Sequence, residues 1–169
     1  MKKIFAPWRM KYIKSGELDG DDCFLCRKFE EHESDVENLI IYRGQYCFVL
    51  LNLYPYSNGH TMIAPCRHTA DYKELSKDEL LEINLLSQAV VRAMEEVMNA
   101  QGYNIGYNLG RIAGAGCDTH LHMHIVPRWN GDTNFMPVIS NTKVISEGLN
   151  DTYKSLKPMV EKYAKEILK

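Results

Sequence analysis

"THLHMHIVPRW", residues 119–129, places three histidines at every second position: His120, His122 and His124. The positions between and after them are apolar: Leu121, Met123, Ile125 and Val126. Strict alternation is typical of a β-strand and not of a helix. The stretch therefore predicts one strand with all three imidazoles on one face and apolar side chains on the other.

Strand geometry limits how the three histidines can share a metal ion. Alternate residues on a strand lie about 6.6 Å apart, so His120 and His124 are separated by roughly 13 Å. Zinc holds imidazole nitrogens at about 2.0 to 2.1 Å, so at most two of the three can bind one ion without strong bending. We therefore expect different roles for the three rings, and a metallohydrolase built on all three is disfavoured.

The composition predicts one soluble globular domain. The chain has 169 residues, 45% of them hydrophobic, which is enough for a substantial core. Its formal net charge of -2 provides no overall basic field, so nucleic acid is not expected as a partner. Small anions remain candidates as ligands of local sites.

The first residues and the cysteine count bear on localisation. The stretch MKKIFAPWRMKYIKSG is basic, but Pro7, Trp8 and Arg9 interrupt it, so it lacks the uninterrupted apolar region of a signal peptide. The chain has no long apolar run, and its five cysteines favour thiols or a metal site over a disulfide framework. We expect a cytoplasmic protein that does not bind membranes.

Local patterns predict strands around one long helix, which is an α+β class with a mainly antiparallel sheet. Strands are predicted, besides the triad strand, at residues 38–43, 46–52, 61–65 and 103–110. A capping box of Ser76 and Glu79 predicts a helix from Asp78 to about Ala100. A second, amphipathic helix is predicted from about Leu149 to Leu168, with Pro158 as its start or a kink.

Cys23 and Cys26 form a Cys-x-x-Cys pair before a short charged helix. With His68 and one triad histidine they would make a Cys2His2 set, the ligand count of a closed zinc site. His120 is the best fourth ligand, because it lies at the edge of the predicted strand. The alternative is a pair of ordinary thiols, since a single pair is common by chance. The remaining cysteines are interpreted as packing residues: Cys47, Cys66 and Cys117.

His122 is the candidate nucleophile. A lone histidine in a strand is more often a satisfied core residue, but three polar rings on one face each need partners. The preceding loop contains Gly110, Gly114 and Gly116, whose backbone N–H groups could hold phosphate oxygens, and it lacks the ending of a Walker loop. A neutral imidazole could then attack phosphorus while His124 hydrogen-bonds the phosphoryl oxygens.

The motifs together resemble one protein family. HLHMHIV matches the signature of the histidine triad (HIT) family of nucleotide hydrolases and transferases. The stretches APWRMKYI, CFLC, VLLNLYPYSNGHTMIAP, GYNLG and VPRWNGDTNF resemble its bacterial branch of diadenosine tetraphosphate phosphorylases and hydrolases. The resemblance implies a HIT-like fold, a five-stranded sheet with a long helix, extended across a homodimer. It implies a single domain over 1–169, with an arm (1–20), a core (21–130) and a C-terminal extension with a helix (131–169).

The resemblance also assigns roles to single residues. It makes His122 the nucleophile that forms a covalent nucleotidyl-histidine, and it places His124 and Asn108 against phosphate. His60 corresponds to a histidine that supports the active site. Asn52 corresponds to a residue that holds the ribose hydroxyls, although a turn residue is the alternative. The zinc ligands of related proteins correspond to Cys23, Cys26, His68 and His120.

One departure from the family concerns Gly116. Many relatives carry glutamine or serine there, four residues before the first triad histidine, and use it to bond the scissile phosphate or leaving group. Cys117 or Thr119 could compensate, or the extra room could admit inorganic phosphate. The backbone of the loop, including Gly114, is expected to contact phosphate. Trp129, together with Arg128 and Lys143, could shape a site for a second nucleotide or phosphate, or could be surface packing.

These observations predict an enzyme that cleaves dinucleoside polyphosphates such as diadenosine tetraphosphate, with water or inorganic phosphate as acceptor and zinc as a structural cofactor. Two alternatives stay open, a nucleoside phosphoramidate hydrolase and a zinc-stabilised nucleotide-binding regulatory module with little turnover. The helix at 78–100 is apolar over more than one stripe, which is compatible with a dimer.

Overall fold

The computed structural model describes residues 23–133, 139 and 145–169. It contains a five-stranded antiparallel sheet in the order β1-β2-β3-β5-β4, which confirms the predicted fold class. In chain order the elements are α1 (Phe24–Glu30), β1 (Ile40–Arg43), β2 (Cys47–Leu51), β3 (Thr61–Pro65), α2 (Lys77–Met98), β4 (Gly102–Tyr107), β5 (Met123–Arg128) and α3 (Leu149–Ile167). No described helix is long and apolar enough to cross a membrane.

The β1–β2 hairpin is fixed by a buried carboxylate from helix α2. Glu82 accepts hydrogen bonds from the backbone N–H groups of Gln45, Tyr46 and Cys47 at 2.9, 2.5 and 2.8 Å. Gly44 packs against the same carboxylate, because a Cβ there would lie 2.5 Å from Oε1 of Glu82. The turn therefore orients its backbone donors toward one side chain and needs glycine at its first position.

Strand β5 is shorter than the sequence pattern predicts. It begins at Met123, so the prediction that the whole triad lies on one strand is wrong. The backbone of Leu121 instead donates to the Thr69 carbonyl at 2.7 Å, and the ring of His120 reaches the Pro65 carbonyl. These contacts hold the first part of the triad outside the sheet ladder, and of the three histidines only His124 belongs to the strand.

The long helix α2 follows its predicted signals closely. Ser76 Oγ accepts from the Glu79 N–H and the Glu79 carboxylate accepts from the Ser76 N–H, which confirms the capping box. The helix ends at Met98 and is followed by Asn99 in a left-handed conformation, φ 49°. Its inner face contributes the following residues to the main core: Ile83, Leu86, Ala89, Val90, Ala93 and Met94.

Helix α3 packs against α2 and joins the same core through Tyr153, Leu156 and Val160. Pro158 lies inside α3, so it is not the start of the helix. Because α3 supplies a partner for α2 within the chain, the broad apolar surface of α2 does not by itself require a second subunit.

The opposite face of the sheet carries a second apolar cluster. Leu25 of α1 packs there with a group of strand and loop residues: Ile40, Phe48, Leu50, Met62, Ala64 and Cys117. Helix α1 therefore covers this face, and the space between α1 and the sheet contains the candidate site.

Candidate active site and metal centre

Three of the predicted site histidines lie together at one end of a cavity. The rings of His122 and His124 have centroids 4.7 Å apart, and the ring of His60 lies 5.1 Å from that of His124. Pairing of β3 with β5 explains the contact, because Thr61, which follows His60, is opposite Ile125. His60, just before β3, thus meets His124 of β5, 64 positions later in the chain.

The ring of His122 has a defined tautomer. Its Nδ1 lies 2.9 Å from the backbone carbonyl of His120, and since a carbonyl can only accept, Nδ1 carries the hydrogen. The proton-free nitrogen of the neutral ring is therefore Nε2, and His122 lines the cavity. Burial lowers the pKa of His122, which favours the neutral form that a nucleophile needs.

A chain of hydrogen bonds sets the tautomers of the other two rings. The backbone N–H of Tyr56 donates to Nδ1 of His60 at 3.1 Å, so the hydrogen of His60 is on Nε2. Nε2 of His60 then donates to Nδ1 of His124 at 2.9 Å. His124 is left with its hydrogen on Nε2, and that nitrogen is a donor.

The donor nitrogen of His124 lies beside the side chain of Asn108. Nδ2 of Asn108 is 3.3 Å from Nε2 of His124. Because both nitrogens are donors in this tautomer, they cannot hydrogen-bond each other, and an anionic oxygen could accept from both. The arrangement is compatible with the phosphate-binding roles predicted for both residues.

Burial keeps the supporting histidines neutral. The pKa of His60 falls to about 3, first because of burial and then because of the nearby His124 and His122 rings. The pKa of His124 falls to about 4 by burial and by the neighbouring His122. At neutral pH both rings are therefore neutral, and the hydrogens of this hydrogen-bond chain lie as described above.

Asn52 lies beside His60 and also makes the turn contact that was the alternative to its predicted ribose-binding role. Its Oδ1 accepts from the Tyr54 N–H at 2.9 Å, and its Nδ2 lies 3.3 Å from Nδ1 of His60. The residue also lines the cavity, so part of its side chain faces the space next to the histidines.

The cavity has a volume of about 240 Å³ and lies between α1 and the sheet. Gly116 and Cys117 line it beside His122 and His124, whereas Gly114 and Trp129 are not among its lining residues. Cys117 was expected either to pack or to contact phosphate, and it both lines the cavity and belongs to the second apolar cluster. Cys47 does pack in the core, where burial raises the pKa of its thiol.

The structure places the other predicted residues away from the cavity. Trp129 donates its indole N–H to the Met98 carbonyl at 3.0 Å, at the end of α2. Arg128 bonds Asp132 and Asn104. Gly114 ends a short 3-10 turn with φ 96°. Lys143 lies outside the described residues.

The predicted zinc ligands form a separate cluster. The ligand atoms of Cys23, Cys26, His68 and His120 lie within 4.8 Å of one another. Nδ1 of His120 is 3.2 Å from Sγ of Cys23 and 3.4 Å from Sγ of Cys26, and Nδ1 of His68 is 3.3 Å from Sγ of Cys26. In a tetrahedral zinc site sulfur and nitrogen ligands are about 3.6 Å apart, so the four residues fit such an ion.

A backbone contact orients His120 toward this cluster. Nε2 of His120 lies 2.9 Å from the Pro65 carbonyl and therefore carries the hydrogen. The lone pair on Nδ1 then points at the two cysteines, as in zinc sites whose histidines are oriented by a second hydrogen bond. His120 therefore lies with the two cysteines, whereas His122 faces the cavity, which is the arrangement that the sequence analysis expected.

Sequence reasoning missed several residues that line the cavity. Lys28 of α1 and Asn38, which precedes β1, face it together with Tyr54 and Tyr56. The only signal for Lys28 is its position two residues after Cys26. Nothing in the spacing of the chain indicates that α1 folds over this face of the sheet.

Comparison with known proteins assigns the class. The model of the HIT domain family matches residues 33–131. The chain is also 36% identical over 161 residues to the AP-4-A phosphorylase of Mycobacterium tuberculosis, covering 92% of this chain and 83% of that protein. The chain therefore belongs to the HIT domain family.

Solved structures share the fold. A Zn-bound histidine triad family protein from Mycobacterium smegmatis has a TM-score of 0.67 at 23% identity, covering 86% of this chain and 97% of that one. A protein described as a hypothetical histidine triad nucleotide-binding protein, from Sulfolobus tokodaii, has a TM-score of 0.62 at 27% identity, covering 83% of this chain and 93% of that one. Both likenesses therefore extend over most of this chain.

Proposed function

We propose that this HIT-family enzyme cleaves dinucleoside polyphosphates through a covalent nucleotidyl-His122 intermediate, and that diadenosine tetraphosphate is the first substrate to test. The observation that carries the proposal is the orientation of His122, whose Nδ1–H is bound to the His120 carbonyl and whose Nε2 is left as the nucleophile. The name of the Mycobacterium tuberculosis relative supports the substrate class.

In the first step Nε2 of His122 attacks the α-phosphorus of the substrate. A P–N bond forms, the P–O bond to the leaving nucleotide breaks, and ATP departs from diadenosine tetraphosphate. The ring becomes cationic while it carries the nucleotidyl group, and the His120 carbonyl stabilises that charge through Nδ1–H. The N–H groups of His124 and Asn108 would hold the phosphoryl oxygens.

In the second step an acceptor oxygen attacks the same phosphorus and the P–N bond breaks, which returns the neutral ring. With water as acceptor the products are AMP and ATP. With inorganic phosphate they are ADP and ATP. Gly116 presents no side chain to the cavity, so its position offers room for either acceptor.

Zinc would be held by the Cys2His2 cluster described above, where it would fix the ring of His120. The role of the ion in this proposal is structural. It would fix His120, and the backbone carbonyl of His120 in turn orients the ring of His122. A phosphoramidate hydrolase would use the same attack by His122 on a P–N substrate.

The test is incubation with diadenosine tetraphosphate, with and without phosphate, followed by chromatography of the nucleotides. We expect AMP plus ATP for a hydrolase and ADP plus ATP for a phosphorylase. His122→Ala should abolish turnover and retain zinc, whereas the exposed His32→Ala should leave both unchanged.

The alternatives give different outcomes in the same assay. Nucleotide binding with no product at any time would favour the regulatory module. Cleavage of adenosine 5′-phosphoramidate alone would favour the phosphoramidate hydrolase. Full activity of His122→Ala would exclude the proposed intermediate.

A homodimer extended through the sheet is also part of this proposal. Strand β4 lies at an edge of the sheet, where its outer backbone groups can pair with another strand. Its central residue Ile105 is 47% exposed, which is compatible with burial against a second copy.

A further inference from the structure

The cavity runs across the strands from the catalytic histidines to the outer edge of the sheet. Met62 of β3 is paired with His124 on one side and with Leu50 of β2 on the other. All three line the cavity, so Leu50 lies about two strand spacings, or roughly 10 Å, from His124. Asn38 precedes the outermost strand β1 and marks the far end.

The far end carries a pair of polar side chains. Nζ of Lys28 lies 3.2 Å from the carbonyl oxygen of Asn38 and 3.4 Å from its Oδ1. The amide nitrogen of Asn38 donates to Glu31 at 2.7 Å, which fixes the amide with its oxygen toward the lysine. The cavity therefore presents an ammonium donor beside an amide acceptor, opposite the histidines.

Apolar side chains separate the two polar ends. Phe24 of α1 lies above the floor formed by Leu50 and Met62. A flat ring could place its apolar faces against these side chains and its polar edge against the pair at the far end. A nucleotide whose phosphate reaches His122 would place its base in this part of the cavity.

We propose that Lys28 and Asn38 read the edge of the nucleobase and make the enzyme selective for adenine. The proposal rests on the proposed function, because the phosphate must lie at the histidines for the base to reach these residues. Lys28 and Asn38 are then specificity-determining residues of the same site.

The donor and acceptor together are complementary to adenine. The N7 edge of adenine presents an acceptor beside the N6 amino donor, so N7 can accept from Lys28 while N6 donates to Oδ1 of Asn38. Guanine presents two acceptors, N7 and O6, on the same edge, and Lys28 alone could donate to both. Asn38 is therefore the residue that discriminates, because its Oδ1 would oppose O6 of guanine but accepts from N6 of adenine. The 3.4 Å contact between the two side chains is at the long limit of a hydrogen bond, so a base edge can replace it.

The first test compares AMP with ribose 5-phosphate by NMR titration of the wild type and Lys28→Met. Methionine keeps most of the stem and removes the ammonium. We expect AMP to bind about tenfold more weakly to the variant, because a hydrogen bond from a charged donor is lost. Ribose 5-phosphate, which has no base, should bind both proteins equally.

Two further variants complete this test. Lys73→Met removes the same charge from an exposed position outside the cavity and should leave both affinities unchanged. Lys28→Gln keeps an N–H donor and should recover part of the AMP affinity, and it serves in place of Lys28→Met if that variant does not fold. An equal loss for both ligands would overturn the proposal, since Lys28 would then bind phosphate. Unchanged AMP affinity would overturn it as well.

The second test concerns the choice of base. The wild type should bind AMP more tightly than GMP, and Asn38→Leu should reduce that preference toward unity. Equal binding of AMP and GMP by the wild type would overturn adenine selectivity. Because these titrations need no turnover, a protein that binds AMP through Lys28 but cleaves no dinucleoside polyphosphate would refute the proposed function and retain the base-reading role of Lys28 and Asn38.

Discussion

His120 and His122 are joined by a hydrogen bond from Nδ1 of His122 to the carbonyl oxygen of His120, 2.9 Å long. The ring of His120 points in another direction, with Nδ1 3.2 Å from Sγ of Cys23. His120 thus contacts the candidate metal cluster with its side chain and orients the proposed nucleophile, His122, with its backbone. A change in the metal cluster should therefore alter the orientation of His122 and the rate of the reaction.

Removal of one zinc ligand tests this connection. Cys26→Ser should lose zinc and lower kcat about 10- to 100-fold, with a smaller change in KM, because the nucleophile is misoriented while the substrate contacts remain. Zinc content and steady-state kinetics measure the two effects. Cys66→Ser, outside the ligand set, should retain zinc and activity. A zinc-free Cys26→Ser protein with wild-type kcat would contradict the connection.

Acid should destabilise the fold through the two buried histidines, His60 and His124. The pKa of His60 is about 3 and that of His124 about 4 in the folded protein, against 6.5 for an ordinary histidine. Their contribution is complete above pH 6.5 and is lost as the pH falls toward these values, because the unfolded chain takes up protons first. Each ring should contribute a slope of about 1.4 kcal/mol per pH unit below pH 6.

Urea unfolding between pH 5 and pH 7.5 measures that slope. His60→Asn should unfold with a slope smaller by about one proton below pH 6 and with an unchanged slope above pH 7. His32→Asn is the matched control, since His32 is exposed, and it should keep the wild-type slope. Parallel slopes for the wild type and His60→Asn would show that His60 takes up its proton in both states.

Glu82 should be important for stability. Glu82→Gln replaces one carboxylate oxygen with an N–H group, which cannot accept from the hairpin backbone donors. We expect a loss of about 1.5 to 3 kcal/mol in the free energy of unfolding, the range for hydrogen bonds to charged groups. Chemical denaturation measures it, with the exposed Glu95→Gln as control. A loss no larger than that of the control would show that the amide replaces the carboxylate.

The proposed dimer predicts a mass twice the 19.5 kDa of the chain in light scattering. Ile105→Lys should shift the protein toward monomer, because a charged residue on an edge strand opposes strand pairing. Leu81→Lys changes another exposed apolar residue, on α2, and should not alter the mass. A monomeric wild type at all concentrations would exclude the dimer.

Parts of this structure follow directly from local sequence. The capping box of Ser76 and Glu79 depends only on neighbours in the chain, and the alternation from Leu121 to Ile125 does place its apolar residues in the main core. The ligand types of the metal cluster could also be predicted, since zinc accepts few combinations of side chains.

Other parts depend on contacts between distant segments. The start of β5 could not be predicted, because it depends on residues more than 50 positions earlier. The carbonyl of Thr69 accepts from the backbone N–H of Leu121, and the carbonyl of Pro65 accepts from the ring of His120. The position of Lys28 depends on how α1 crosses the sheet. Trp129, expected near the site, instead satisfies the Met98 carbonyl at the end of α2.

The pairing of β3 with β5 aligns His124 with Met62 and, in the same register, places Ile125 in the core. A shift of one residue would exchange the two faces, so a misaligned active site would also expose core side chains to water. The loss of apolar burial therefore makes such a misaligned state unstable. Loss of activity on heating should therefore coincide with global unfolding, and no inactive folded form should accumulate first.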